Sequence, residues 1–141
     1  MPTALLFLTS RLAHIGLARV YRLVLALSEL PQANAMLTKG DHAILEEFAK
    51  CVRDLFPAAR IWAFGSRARG DAAPDSDLDV CIVVSGLTRN MRDRIREMAW
   101  EIGFEHGLVL STVLFSTESF EHGPMAASTL VANIHREGVA A

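Results

Sequence analysis

Two aspartates, Asp77 and Asp79, stand one residue apart at the head of an apolar run that continues to Val84. In an extended strand, residues two apart project from the same face, so both carboxylates lie together while Leu78 and Val80 turn to the opposite, buried face. Carboxylates side by side repel and resist shared ionisation. A divalent cation removes that conflict. Magnesium in particular takes one or two carboxylates, with waters and substrate phosphate oxygens completing its shell. The chain must therefore fold so that one strand is anchored in a core on one side and presents paired charge on the other.

The residues just upstream supply complementary chemistry. Ala59 to Phe64 is a short apolar strand candidate, and Gly65-Ser66 follows it directly. A glycine there lets another group approach the backbone closely. Ser66 adds a hydroxyl and an amide where a helix can start, an arrangement suited to phosphate. Arg67 and Arg69 are cationic donors for phosphate oxygens, and Gly70 permits a sharp turn. Gly65 to Ser76 reads as a Gly, Arg, Pro and Asp-rich loop with room for one helical turn. An Asp-x-Asp or a Gly-Ser alone is common on strand edges. The combination is much more specific: a strand, Gly-Ser, ten intervening residues, then Asp-x-Asp entering a second strand. It predicts a site for a nucleoside triphosphate and magnesium, with Gly65, Ser66, Arg67 and Arg69 on the nucleotide and Asp77 and Asp79 on the metal.

The remaining pattern supplies a scaffold. Thr38 and Asp41 mark a helix start, and Ile44, Leu45, Phe48, Val52 and Leu55 recur at helical spacing until Pro57. Thr88 caps a long helix whose apolar face is Met91, Ile95, Met98 and Ile102. Its charged residues Arg92, Asp93, Arg94, Arg96 and Glu97 read as a solvated face. Leu108 to Phe115 is a third strand. Pro124 opens a last helix with Leu130, Val131 and Ile134 inward, and Gly138 closes it. The order helix, strand, strand, helix, strand, helix predicts an α/β (α+β) fold, a small mixed sheet with flanking helices.

Composition bounds the function. A chain of 141 residues is the size of one small domain, and 51% hydrophobic residues can fill its core. A net charge of -2 argues against general nucleic-acid binding, which favours a basic excess, but leaves room for a nucleotide. Cys51 and Cys81 show no paired spacing and read as two buried thiols in a reducing cytoplasm, and the five histidines form no ligand motif. Residues 1–35 are set apart. Leu5 to Leu8 and Val20 to Leu30 are apolar, but Arg11, His14, Arg19 and Arg22 interrupt them, so no run is long enough to span a membrane and the order does not suit a signal peptide. Pro31 to Asn34 breaks the pattern. Residues 36–141 are expected to form the domain, with residues 1–35 an apolar extension that is either an amphipathic helix or lies outside the ancestral domain.

At Gly65-Ser66 and Asp77-Leu78-Asp79 the sequence resembles the minimal nucleotidyltransferases of the DNA polymerase β superfamily, whose signature is Gly-Ser followed ten residues later by Asp-x-Asp. The flanks Ala68-Arg69-Gly70 and Ser76-Asp77 and the Gly-Val at 138-139 extend the likeness over roughly residues 41–141. The resemblance implies a polymerase β palm-like nucleotidyltransferase fold, Mg²⁺ and ATP, and transfer of a nucleoside monophosphate to a hydroxyl. Gly65 and Ser66 would hold the triphosphate, and Asp77 and Asp79 the metal. It also implies a partner, because many bacterial members of this size are antitoxins of HEPN-domain ribonuclease toxins and silence them by adenylylating a tyrosine. One departure stands out. The superfamily's third carboxylate is expected at Ser111 or Thr112, and neither is acidic; Glu118 and Glu121 come later. Two alternatives accompany this reading. One is a binding module that neutralises a toxin by contact alone. The other is an antibiotic-modifying adenylyltransferase, an enzyme class that normally carries a further helical domain.

Overall fold

The computed structural model describes residues 37–141. The expected N-terminal extension, residues 1–35, lies outside the described residues. From Thr38 onward the chain forms α1 (Lys39–Leu55), β1 (Arg60–Phe64), α2 (Gly65–Arg69), β2 (Leu78–Val84), α3 (Arg89–His106), β3 (Leu110–Ser116), α4 (Thr117–Glu121), a 3₁₀ turn (Pro124–Ala127), α5 (Thr129–Glu137) and β4 (Val139–Ala140). The mixed sheet with flanking helices expected from the sequence is the fold observed.

The sheet order is β3-β2-β1-β4. The β1–β2 and β1–β4 pairs are antiparallel, and β2–β3 is parallel. The parallel pair requires a crossover, and α3 provides it. Helices cover both faces. On one, Ile44, Leu45, Phe48 and Val52 of α1 and Ile95, Met98 and Ile102 of α3 pack on Ile61, Leu78, Val80 and Ile82. On the other, Phe120 of α4 and Val131 and Ile134 of α5 pack on Cys81, Val83 and Phe115. The continuous apolar character of β2 follows, since every residue from Val80 to Val84 is buried.

Local signals act as their chemistry dictates. The Thr38 hydroxyl accepts from the Asp41 amide at 3.0 Å and starts α1. Thr88 does the same for Met91 at 3.3 Å and starts α3. The C-terminal third departs from expectation. Pro124 opens only the 3₁₀ turn, and the helix proper begins anew after Ser128, whose hydroxyl accepts from the Val131 amide. The five-residue α4 and the two-residue β4 are too short to leave a periodic pattern. Cys51 and Cys81 are unpaired thiols, and burial pushes Cys81 up to about 12. Among the described residues no helix is long and apolar enough to cross a membrane.

Candidate functional site

Asp79 occupies the second position of β2, directly across from Phe64 on β1 and Ser111 on β3. Cross-strand neighbours share a face, so Phe64, Asp79 and Ser111 form a row at one end of the sheet, on the side of α4 and α5. Beyond Phe64 the chain turns into α2. Gly65 makes that turn with φ of 75°, a left-handed conformation that favours glycine. It also makes room, because a Cβ at Gly65 would collide with the Asp79 carboxylate, Oδ2 in particular. The start of α2 and the head of β2 are therefore packed backbone against side chain, which is why a glycine at 65 and an aspartate at 79 belong together.

Asp77 is exposed, just ahead of β2, and Asp79 is half-buried. Burial, and then the neighbouring Asp77 charge, hold the Asp79 carboxyl above the usual carboxylate range; a hydrogen bond from the Ser111 hydroxyl and the positive charge of Arg69 pull the other way. Among the described residues no cluster of three His, Cys, Asp or Glu side chains could hold a metal. Asp77 and Asp79 thus form a two-carboxylate set open to solvent on one side. That set fits magnesium, which needs few protein ligands when phosphate and water supply the rest.

The two arginines play different parts. Arg69 is exposed and reaches Asp71 at 3.3 Å and Glu137 of α5 at 3.4 Å. Its charge is felt at Asp79, so it flanks the carboxylate pair. Arg67 is largely buried and its donors are already engaged. Nε donates to the Ser76 carbonyl at 2.7 Å, Nη2 to the Pro74 carbonyl at 3.1 Å, and Nη1 to the Asp41 carboxylate at 2.9 Å. Expected on the nucleotide, Arg67 instead ties the loop ahead of Asp77 to the first turn of α1. Asp41 is a site-supporting residue that sequence reasoning missed. It is buried and acidic, yet its partner lies 26 positions away, and only the fold brings them together.

The register also decides between the two positions for a third acid. Ser111 pairs with Asp79 and shares its face, whereas Thr112 pairs with Val80 and faces α3. Ser111 therefore stands where a further carboxylate would reach the pair. Glu118 lies on α4, beyond Ser116 at the far end of β3; five strand steps, about 17 Å, separate Ser116 from Ser111. Glu121 is paired with Arg60 at 2.7 Å, at the same distant end.

Residues 45–134 match the family model of the nucleotidyltransferase domain. The chain belongs to that family. This nucleotidyltransferase domain is also similar to three solved structures. One, a toxin–antitoxin with AMP-PNP, is 19% identical with a TM-score of 0.47, covering 67% of this chain and 69% of that one. A mutant of the toxin–antitoxin MntA–HpeT is 20% identical with a TM-score of 0.46 over the same shares. A structure assigned as a nucleotidyltransferase from Sulfolobus solfataricus is 20% identical with a TM-score of 0.43, covering 72% of this chain and 82% of that one. No curated protein matches this chain.

Proposed function

We propose that the chain binds Mg²⁺ and ATP at the head of β2 and transfers AMP to a hydroxyl of a partner protein, acting as antitoxin to a HEPN-domain ribonuclease toxin. The observation that carries the reading is the packing of the Asp79 carboxylate over Gly65, with Asp77 beside it and Arg69 on its flank. Asp77 and Asp79 would hold the metal, Gly65 and Ser66 would meet the triphosphate, and Arg69 would balance phosphate charge. A bound Mg²⁺ supplies charge neutralisation at the phosphates during nucleotidyl transfer. In the reaction the acceptor oxygen bonds to the α-phosphorus, the bond to the β-phosphate bridge breaks, and pyrophosphate leaves while the hydroxyl proton is lost. Gly65, Ser66 and Arg69 would position the triphosphate for that displacement. Family membership supports the transferase class. The toxin–antitoxin assignment extends to this chain what the similar structures are named for.

Ser111 favours a second reading, in which the same site binds nucleotide but transfers slowly or not at all, and a toxin is neutralised by contact. A hydroxyl is a poorer ligand and a poorer base than a carboxylate at the position opposite Asp79. Incubating the full chain with ATP, Mg²⁺ and a co-expressed candidate toxin, followed by mass spectrometry of both proteins, separates the readings. An added AMP on the partner supports transfer. Calorimetric binding of ATP without any adduct supports the contact-only module, and absence of Mg²⁺-dependent ATP binding overturns both.

A further inference from the structure

A second surface lies away from the carboxylates, between α3 and the edge strand β3. Residues Arg92, Arg96, Trp100 and Phe104 recur every four positions along α3 and so form one row on its surface. The aromatic half is open to solvent: Trp100 is 68% exposed, Phe104 75%, and Val109, at the head of β3, 60%. Trp100 and Phe104 stack at 5.5 Å, which holds their rings side by side as a fixed apolar wall. Beside them runs a groove of about 330 Å³ that reaches from Arg96 past Trp100 and Phe104 to Val109 and Thr112. Exposed aromatic surface bordering a groove costs free energy in water, and single exposed apolar residues do not group this way without reason.

The groove floor carries open backbone. β3 ends the sheet, so one of its edges has no neighbouring strand among the described residues. Leu114 turns its carbonyl to that edge, where Arg92 donates to it at 3.3 Å. Alternate residues of a strand direct their N–H and C=O groups to the same side, so Thr112, two positions earlier, presents both of its groups at the groove. No charge or proline interrupts Leu110 to Ser116 to discourage strand addition. Positive charge gathers on the groove side of the row. Arg96 lines the groove and makes no ion pair among the described residues, nor does Arg89, and Glu97 is taken by Arg94 at 2.6 Å; Asp93, Glu101 and Glu105 are the other acids of α3 near the row.

We infer that the α3–β3 groove docks an extended, acidic segment of a partner protein. Its backbone pairs with Thr112, an apolar side chain sits against Trp100, Phe104 and Val109, and a carboxylate meets Arg96. An extended peptide meets all three features at once, and charge complementarity fixes its sign. Aromatic rings beside arginines also suit single-stranded nucleic acid, but the open strand edge has no use for a base, and the chain's net charge of -2 opposes a polyanion. The surface is distinct from the nucleotide site, and the inference stands whether or not that site binds ATP.

A random dodecapeptide display library, selected on the full chain and on its Trp100→Ala and Arg96→Glu variants, tests it. Both side chains are exposed, so the variants should fold, and unchanged thermal melting verifies this. The expected result is enrichment on wild type of sequences alternating apolar residues with Asp or Glu. Synthetic peptides from that pool should bind at least about tenfold more weakly to Trp100→Ala, as expected for a central aromatic anchor. Arg96→Glu should shift the enriched sequences from acidic to basic. Several outcomes overturn the inference: no enrichment over the variants, enriched sequences without acidic residues, binding of oligouridylate that Trp100→Ala abolishes, or a wild-type dimer in sedimentation that Trp100→Ala dissociates. Acrylamide quenching that finds Trp100 shielded in the isolated monomer overturns it too.

Discussion

Ser111 and Asp79 stand opposite each other in the parallel pair of β2 and β3, and the Ser111 hydroxyl lies close enough to pull the Asp79 carboxyl back toward the ordinary carboxylate range. That hydroxyl favours ionised Asp79 against its burial, but it adds no negative charge for a second cation. Ser111→Asp should therefore raise Mg²⁺-dependent AMP transfer by at least about tenfold, equivalent to ~1.4 kcal/mol of barrier. The same change should lower apoprotein stability, because three carboxylates then crowd one end of the sheet. Thr112→Asp points to the α3 side and should destabilise the fold without raising transfer. Transfer assays and melting curves on the two variants give the comparison, and equal effects from both would remove Ser111 from this role.

Replacing both acids, Asp77→Asn with Asp79→Asn, should abolish Mg²⁺-dependent ATP binding and leave the fold intact. The pH dependence has a definite sign. Asp79 holds its proton more tightly folded than unfolded, so folding takes up a proton and stability falls as pH rises from the unfolded value of 3.8 through the raised folded value. Above that window the ionised pair weighs against the apoprotein. The double variant should melt at or above the wild-type temperature near pH 7, and the difference should vanish below about pH 3.8. A calorimetric titration with Mg²⁺ and ATP that matches wild type would remove the carboxylates from the site.

Gly65→Ala places a methyl group into the Asp79 carboxylate at a backbone of positive φ. A non-glycine residue in such a conformation costs about 1–2 kcal/mol, before any cost of the clash. Denaturant unfolding should show a loss of at least that size, and nucleotide binding should weaken because Asp79 must move aside.

Arg67→Met leaves the buried Asp41 carboxylate without its partner and frees the carbonyls of Pro74 and Ser76. Removing one member of a largely buried pair costs about 3 kcal/mol. Hydrogen exchange should report faster opening of residues 70–78, and Mg²⁺–ATP affinity should fall as Asp77 loses its fixed position. Asp41→Asn distinguishes latch from phosphate ligand. As a latch, Arg67 loses its anchor and affinity falls; as a ligand, Arg67 is released and affinity rises.

A chain beginning at Met36 should retain cooperative melting and nucleotide binding. The described helices and strands run from Lys39 to Ala140, and α1 starts on its own Thr38 cap. A large drop in melting temperature, or aggregation, would make the apolar N-terminal residues part of the core.

Much of this molecule was determined by local chemistry. The Thr38 and Thr88 caps, the apolar periodicity of α1 and α3, and the alternation that sends Leu78 and Val80 to one face of the sheet and Asp79 to the other are properties of neighbouring residues. Neighbouring residues also carry the Gly-Ser and Asp-x-Asp spacing. These were enough for the fold class and for the closeness of Gly65 to Asp79 at the head of β2. The tertiary structure alone decided what depends on distant partners. Whether Ser111 or Thr112 faces the carboxylates is a matter of strand register, and one residue of slip reverses every side chain. Whether Arg67 meets phosphate or protein depends on Asp41, placed beside it by the packing of α1. The short α4 and β4 exist because Phe120 and Gly138 are held against the sheet, since elements of five and two residues have too little internal hydrogen bonding to form alone.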